Sequence, residues 1–367
     1  MSEIKVNSIK GVAASTAAIT VNNTDGTCTA NITNNLSNRN LIINGAMQVA
    51  QRGTSSTSDG YQTVDRFKCD DGGQDAAITR AQVAVTSGGA YDSGFRNCLK
   101  ITNGNQTGGA GASDYIQILY DLEAQDMANS GWNFPSTSSF ITLSFWIKSS
   151  VAQVFSGSLR SRDGTSYSYK FDTPSLSVNT WTKVTKTISG NSNLTFADDN
   201  GSGLQIFIYP FIGTTYTTAN SDTETWVTAG NNYANDMTST WWTTDGATFE
   251  LTGVQLEVGS VATDFEHRSF AQELALCQRY FEIAEGGLQG PVYGTDSDMK
   301  VFTQFKVTKR ASPTLTSISS NENCCSSVSV ETNPLDPTLG ARVVGNNVFN
   351  DGSNRFFVAK FSADAEL

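Results

Sequence analysis

The chain has 367 residues, enough for about two domains of ordinary size. Its 24 Lys and Arg against 35 Asp and Glu give a net charge of −11 with no basic cluster, which excludes the electrostatic footprint of a nucleic-acid binder. A single histidine, His267, excludes a two-histidine zinc motif and leaves one candidate base for any Ser-His-Asp or Cys-His hydrolase.

Residues 1–39 read as an extended arm. Ile4, Val6, Ile9 and Val12 are spaced apolar residues, and Ala17–Val21 and Cys28–Ile32 are short β-like runs split by the turn Asn23–Gly26. Such runs are too short and too rich in small residues to bury a core alone, so they predict pairing with another chain or a docking surface. The opening MSEIKVNSIKG lacks a basic stretch followed by an apolar one, so no signal peptide is expected. The longest apolar run, Leu204–Ile212, falls short of the roughly 20 residues of a membrane helix. The chain is therefore expected to be made in a reducing cytosol and not inserted in a membrane.

Residues 40–268 read as short strands between Gly, Asn, Ser and Asp clusters. In Phe140–Lys148, Ile141, Leu143, Phe145 and Ile147 alternate with Thr142, Ser144, Trp146 and Lys148. Tyr167, Tyr169 and Phe171 share one face of the next clear strand, and Leu204–Ile212 is apolar on both faces. Across Phe249–Val258 the apolar parity switches at Gly253, which predicts a β-bulge there. Many short strands with few helices predict a mainly β fold, a two-sheet sandwich of jelly-roll type.

Residues 269–367 begin with a linking helix. Ser269 and Gln272 have capping-box spacing, Leu274, Cys277, Phe281 and Ala284 form a stripe, and Gly286-Gly287 is the expected stop. Beyond it, Met299–Thr308, Cys324–Glu331, Ala341–Phe349 and Arg355–Phe361 read as strands of a small β domain. So small a domain predicts packing against symmetry mates. The six cysteines, at 28, 69, 98, 277, 324 and 325, contain no C-x-x-C pair and predict free thiols.

Several stretches resemble one family in order along the chain. Asn40–Gly53 with Asp65–Phe67, then Leu143–Lys148, then Leu251–Gly259, Ala262–Arg268 and Glu273–Tyr280, resemble a module of bacteriophage tail fibres and related virion proteins. The tip Phe361–Leu367 looks like the close of such proteins, and Ile4–Ile9 like their attachment arm. The resemblance implies a jelly roll similar to carbohydrate-binding modules, assembled as a homotrimer on the virion. It implies attachment to other virion proteins through residues 1–39, with Ile4, Val6 and Ile9 as contacts, and a knob formed by residues 269–367. The implied role is a tail fibre touching host-surface glycans; the alternatives are a capsid decoration or vertex fibre and, third, a polysaccharide depolymerase. The resemblance carries no catalytic residue, cofactor or metal ligand onto this chain.

Sugar binding needs aromatic faces flanked by hydrogen-bonding side chains. Trp241 and Trp242 would point to opposite faces of a strand, so one could leave the core; Trp226 and Tyr233 lie close before them among Asn231, Asn232, Asn235 and Asp236. Core or interface packing is the competing expectation for these rings, and packing beneath a loop or against a neighbouring chain for Trp146. His267, between Glu266 and Arg268, reads as an interdomain or subunit contact. Asp70-Asp71, Asp198-Asp199 and Asp296 with Asp298 read as solvated turn residues, since none completes a calcium-loop motif.

Overall fold

The computed structural model describes residues 6, 8–9, 12, 19–21, 28–30, 38–218, 221–292, 297–348 and 352–367. Ile4, the turn Asn23–Gly26 and Asp296 lie outside the described residues. Within the arm, β1 (Ser8–Ile9), β2 (Ile19–Val21) and β3 (Cys28–Ala30) pair antiparallel in that order, and Val6 and Ile9 are exposed.

The middle of the chain supplies twelve strands: β4 (Ser55–Ser56), β5 (Phe67–Gly72), β6 (Thr79–Ala84), β7 (Asn97–Thr102), β8 (Tyr115–Glu123), β9 (Phe140–Ser149), β10 (Ser156–Ser161), β11 (Tyr167–Asp172), β12 (Thr182–Ser189), β13 (Ser202–Ile212), β14 (Trp226–Thr228) and β15 (Thr248–Val258). They form two six-stranded antiparallel sheets, a front sheet of order β14-β11-β10-β13-β8-β5 and a back sheet of order β12-β9-β15-β7-β6-β4. The fold is thus a jelly-roll β-sandwich, and the alternation of side chains along each strand determines what fills it. Ile141, Leu143, Phe145 and Ile147 of β9 are fully buried against Ile116, Ile118 and Tyr120 of β8 and Ile206 and Ile208 of β13. Gly253 has φ 63°, and the register of β15 on β9 shifts between Thr252 and Gln255, so the bulge lies where the parity switched. A second shift between Ile208 and Phe211 accommodates Pro210, which has no amide to donate to the ladder.

Two short helices, α1 (Gly89–Asp92) and α2 (Ala124–Ala128), decorate the sandwich, and α3 (Phe270–Gln278) leaves it. Trp146 packs beneath the α1 loop with Phe95, Trp181 and Phe265. The capping box of Ser269 and Gln272 forms, but α3 ends at Gln278 rather than at Gly286-Gly287. The cause is pairing with the far end of the chain. Phe281 and Ala284 belong to β16 (Phe281–Val292), whose partner is the C-terminal strand, with Phe281 opposite Asp364 and Ala284 opposite Phe361.

The remaining strands are β17 (Ser297–Gln304), β18 (Thr314–Glu322), β19 (Ser327–Thr332), β20 (Gly340–Val348) and β21 (Gly352–Asp364). They build two three-stranded sheets, β16-β21-β18 and β17-β20-β19, around Phe305, Val343, Phe357, Ala359 and Phe361. Cys324 and Cys325 precede β19 in a bend instead of opening a strand, so both thiols can turn inward. The five cysteines at 69, 98, 277, 324 and 325 are buried and unbridged.

The C-terminal tail ties this unit to the sandwich. Arg66 is fully buried, pairs with Glu366 and lies 3.4 Å from the ring centre of Tyr280. Arg52 reaches Asp364 at 2.9 Å and Glu366 at 3.4 Å while covering Phe281. Arg279 and Tyr280 both donate to Glu123 at the end of β8, at 2.8 Å and 2.5 Å. Among the described residues no helix is long and apolar enough to cross a membrane.

Candidate functional site

Inward residues of the front sheet fill the sandwich, so their neighbours in sequence face outward. On β8 those are Tyr115, Gln117 and Leu119; on β5 they are Lys68 and Asp70; on β13, Phe207 and, past the bulge, Ile212. The segment after β13 folds back over this face. A 3-10 turn at Thr214–Tyr216 brings in Tyr216, and Tyr233 follows where its amide donates to the Tyr216 carbonyl at 3.0 Å. Lys170, fully buried on β11, anchors the overhang from below by donating to Thr218 and, at 2.6 Å, to the Ser221 carbonyl.

Together these residues line a groove of about 300 Å³, at the small end of ligand pockets. Leu119 and Phe207 form its floor, and four rings run along it edge to face. Ring centres are 5.8 Å apart for Tyr115 and Tyr216, 6.3 Å for Tyr216 and Tyr233, and 5.9 Å for Tyr233 and Phe207. The opposite wall is polar: Lys68 lies 3.0 Å from the Asp70 carboxylate, which also accepts from Gln117 at 3.3 Å. Burial, and next the nearby Asp70, raise the Tyr115 phenol above its usual value, so it stays a hydrogen-bond donor at neutral pH. Ring faces beside convergent donors and acceptors suit a polyhydroxylated ligand with an apolar C–H face.

The tryptophans expected to do this work are elsewhere. Trp241 and Trp242 are fully buried, with indole nitrogens donating to the carbonyls of Thr248 and Gly109, and Trp242 packs on Phe211. They sit in a turn, where the Thr243 amide returns to Ser239, so strand alternation does not separate them. Asn103 holds the turn by donating to both of their carbonyls. Trp226 is also buried, against Tyr169, with its indole donating to Ser189. None of the three offers a face to a sugar; Tyr233 lies in the groove. Tyr115, Gln117, Phe207 and Tyr216 were missed, and their signal is weak: an outward tyrosine two residues before an outward glutamine, and an apolar outer face on β13.

Other chemistry-bearing groups are committed to structure. His267 approaches the Ser93 carbonyl at 3.0 Å and packs on Phe95 and Phe265, a contact within the sandwich. Asp71 pairs with Arg80, Asp198 accepts from Asn129, and Asp298 accepts from the Asn347 amide. Among the described residues no three His, Cys, Asp or Glu side chains gather as metal ligands. A larger cleft of about 900 Å³ lies along α3, where Glu266 and Arg268 bind each other and the backbone of Asn40, leaving Asp126 as its other carboxylate and, among the described residues, no aromatic ring but His267.

No protein-family model matches the chain, and no curated protein matches it. Among solved structures, the enzymatically active domain of tailspike protein 4 from bacteriophage CBA120 aligns at TM-score 0.33 and 10% identity, covering 60% of this chain and 21% of that one. A putative sugar-binding protein from Bacteroides thetaiotaomicron aligns at TM-score 0.33 and 11% identity, over 60% of this chain and 100% of that one. The N-terminal cellulose-binding domain of Cellulomonas fimi β-1,4-glucanase C aligns at TM-score 0.28 and 11% identity, over 58% of this chain and 99% of that one. The jelly-roll assignment rests on the strand order of the two sheets, and the reading of the groove on its own residues.

Proposed function

We propose that the chain is a saccharide-binding virion protein, a bacteriophage tail fibre whose groove on β5, β8 and β13 receives a host-surface glycan. The observation that carries this reading is the line of rings from Tyr115 through Tyr216 and Tyr233 to Phe207, facing Lys68, Asp70 and Gln117. The tyrosine rings cover the C–H face of a pyranose above the buried floor of Leu119 and Phe207, while the polar wall exchanges hydrogen bonds with its hydroxyls. The placing on a fibre is supported by the resemblance of residues 40–280 and of the tip to phage fibre modules. In the proposed assembly three chains associate, residues 1–39 hold the fibre to the virion, and weak contacts by several copies add up through avidity. The chain binds without cleaving in this reading. The carboxylates further along β8 are engaged, Asp121 by Ser202 and Gln205 and Glu123 by Arg279 and Tyr280.

Retention of the full chain in native gels cast with bacterial surface polysaccharides tests the groove. Tyr216→Ala should lose most retention, about tenfold or more in affinity for one stacking ring, whereas Trp181→Ala on the other sheet should keep it. Equal retention of both variants would contradict the assignment.

A further inference from the structure

Arg160 stands apart from the buried arginines Arg66 and Arg80 and from the half-buried Arg279. Arg66 pairs with Glu366, Arg80 with Asp59 and Asp71, and Arg279 with Glu123. Arg160 is 7% exposed, on β10 with its neighbour Leu159 in the core, so its side chain rises on the outer face of the front sheet. Among the described residues it makes no ion pair. Nη2 donates to the Gly230 carbonyl at 2.9 Å, while Nε and Nη1, which carry three of its five N–H groups, have no partner. The guanidinium lies 4.1 Å from the centre of the Tyr233 ring, the same ring that walls the groove. A buried charge with unpartnered donors is costly, and a carboxylate is the group whose geometry relieves it most fully.

We infer that the saccharide taken by this groove is acidic, and that Arg160 receives its carboxylate behind Tyr233. This rests on the glycan reading of the groove and narrows it to sugars such as uronic acids. Nε and Nη1 are shut from solvent, while Nη2 holds the Gly230 carbonyl and the guanidinium lies on Tyr233, so binding requires the Gly230–Tyr233 segment to shift. The segment is held by hydrogen bonds from the Ala229 amide to Ser166, from the Gly230 amide to the Asn232 side chain, between Asn232 and both Thr228 and Ser168, and from the Tyr233 amide to Tyr216, which binding would have to rearrange. The opposite wall fits an acidic chain too, because Asp70, the one carboxylate among the described residues that line the groove, is paired with Lys68.

The test pairs each acidic polymer with its own neutral form. Polygalacturonate, alginate and hyaluronan are compared with their carboxyl-reduced products by calorimetry on the full chain, its Arg160→Gln variant and its Tyr216→Ala variant. The inference predicts at least one acidic polymer bound about tenfold or more tightly than its reduced form, the value of a charge-assisted pair. Arg160→Gln should erase the difference between each acidic polymer and its reduced form, and Tyr216→Ala should lower the affinity for both forms. It also predicts that Arg160→Gln unfolds at the same temperature as the parent or higher, because an unpaired buried charge has been removed. A preference for neutral polymers, an acidic preference that survives Arg160→Gln, or a lowered unfolding temperature would each overturn the carboxylate assignment and leave the groove standing. If nothing binds while Arg160→Gln is destabilised, both the groove reading and this inference fall.

Discussion

Trp242 is wedged between the sheets with its indole proton given to Gly109 and its ring tilted on Phe211 at 5.1 Å. Removing a fully buried indole leaves a cavity that a rigid sandwich fills poorly. Trp242→Ala should lower unfolding stability by about 3–5 kcal/mol, measured by urea titration; a groove role without a packing role would instead leave stability intact. Asp65 makes a second residue-level prediction. Its carboxyl is pushed up to about 6, chiefly by burial, against the opposing hydrogen bonds from Gln51 and the charge of Arg52. The folded state therefore binds this proton more readily than the unfolded chain does. Stability from this site is present below its ordinary value and is lost as pH rises through about 6. Relative to Asp65→Asn, the parent should become less stable between pH 4 and 6.5, by about 1.4 kcal/mol per unit at the steepest. A flat difference across that range would contradict the assignment.

At the scale of elements, the decisive feature is the tail after β21. Ala365 donates to the Tyr280 carbonyl at 2.7 Å, Arg310 binds the Ala365 carbonyl at 2.9 Å, and Glu366 neutralises the buried Arg66. Glu366→Gln strands that guanidinium, and breaking one side of a buried pair costs about 3–5 kcal/mol. Limited proteolysis should then cut between α3 and β16, where the parent resists; unchanged resistance would mean the tail does not hold the C-terminal sheets. Local alternation made β9, β13 and the Gly253 bulge legible in the sequence, because inward and outward positions are set by adjacent residues. The end of α3 was not legible. The spacing of Leu274, Cys277, Phe281 and Ala284 suits a helix, and only pairing with residues 361–364 converts its second half to a strand. The groove was hidden for the same reason. Tyr115 and Tyr216 lie about a hundred positions apart, and nothing local to either states that one folds over the other. The adjacent tryptophans misled because a turn, fastened by Asn103, obeys no two-residue period.

For the molecule as a whole, the α3 helix and the C-terminal sheets carry apolar side chains on their surface. Phe270 is 55% exposed, Phe302 52% and Ile318 50%, an unusual set for a unit this small. The proposed trimer would cover them. Light scattering of the full chain should report three times the 39.3 kDa of one chain, and Phe270→Ser with Phe302→Ser should reduce it; a monomeric parent would contradict the assembly. Loss of residues 1–39 should leave the trimer folded but abolish its incorporation into particles, since among the described residues β1, β2 and β3 pair with one another and supply no strand to either sandwich sheet, and only the base of the arm, at Arg39, touches the back sheet through Glu257.

The central claim is that the groove of the front sheet is where a glycan lies. Hydrogen exchange of the full chain, read by mass spectrometry with and without the polysaccharide that retains it best, tests this most directly. The account predicts slowed exchange in residues 115–119 and 213–236, with the back sheet unchanged. Protection confined to the back sheet, to the α3 cleft or to the C-terminal sheets, with those two segments unaltered, would contradict it.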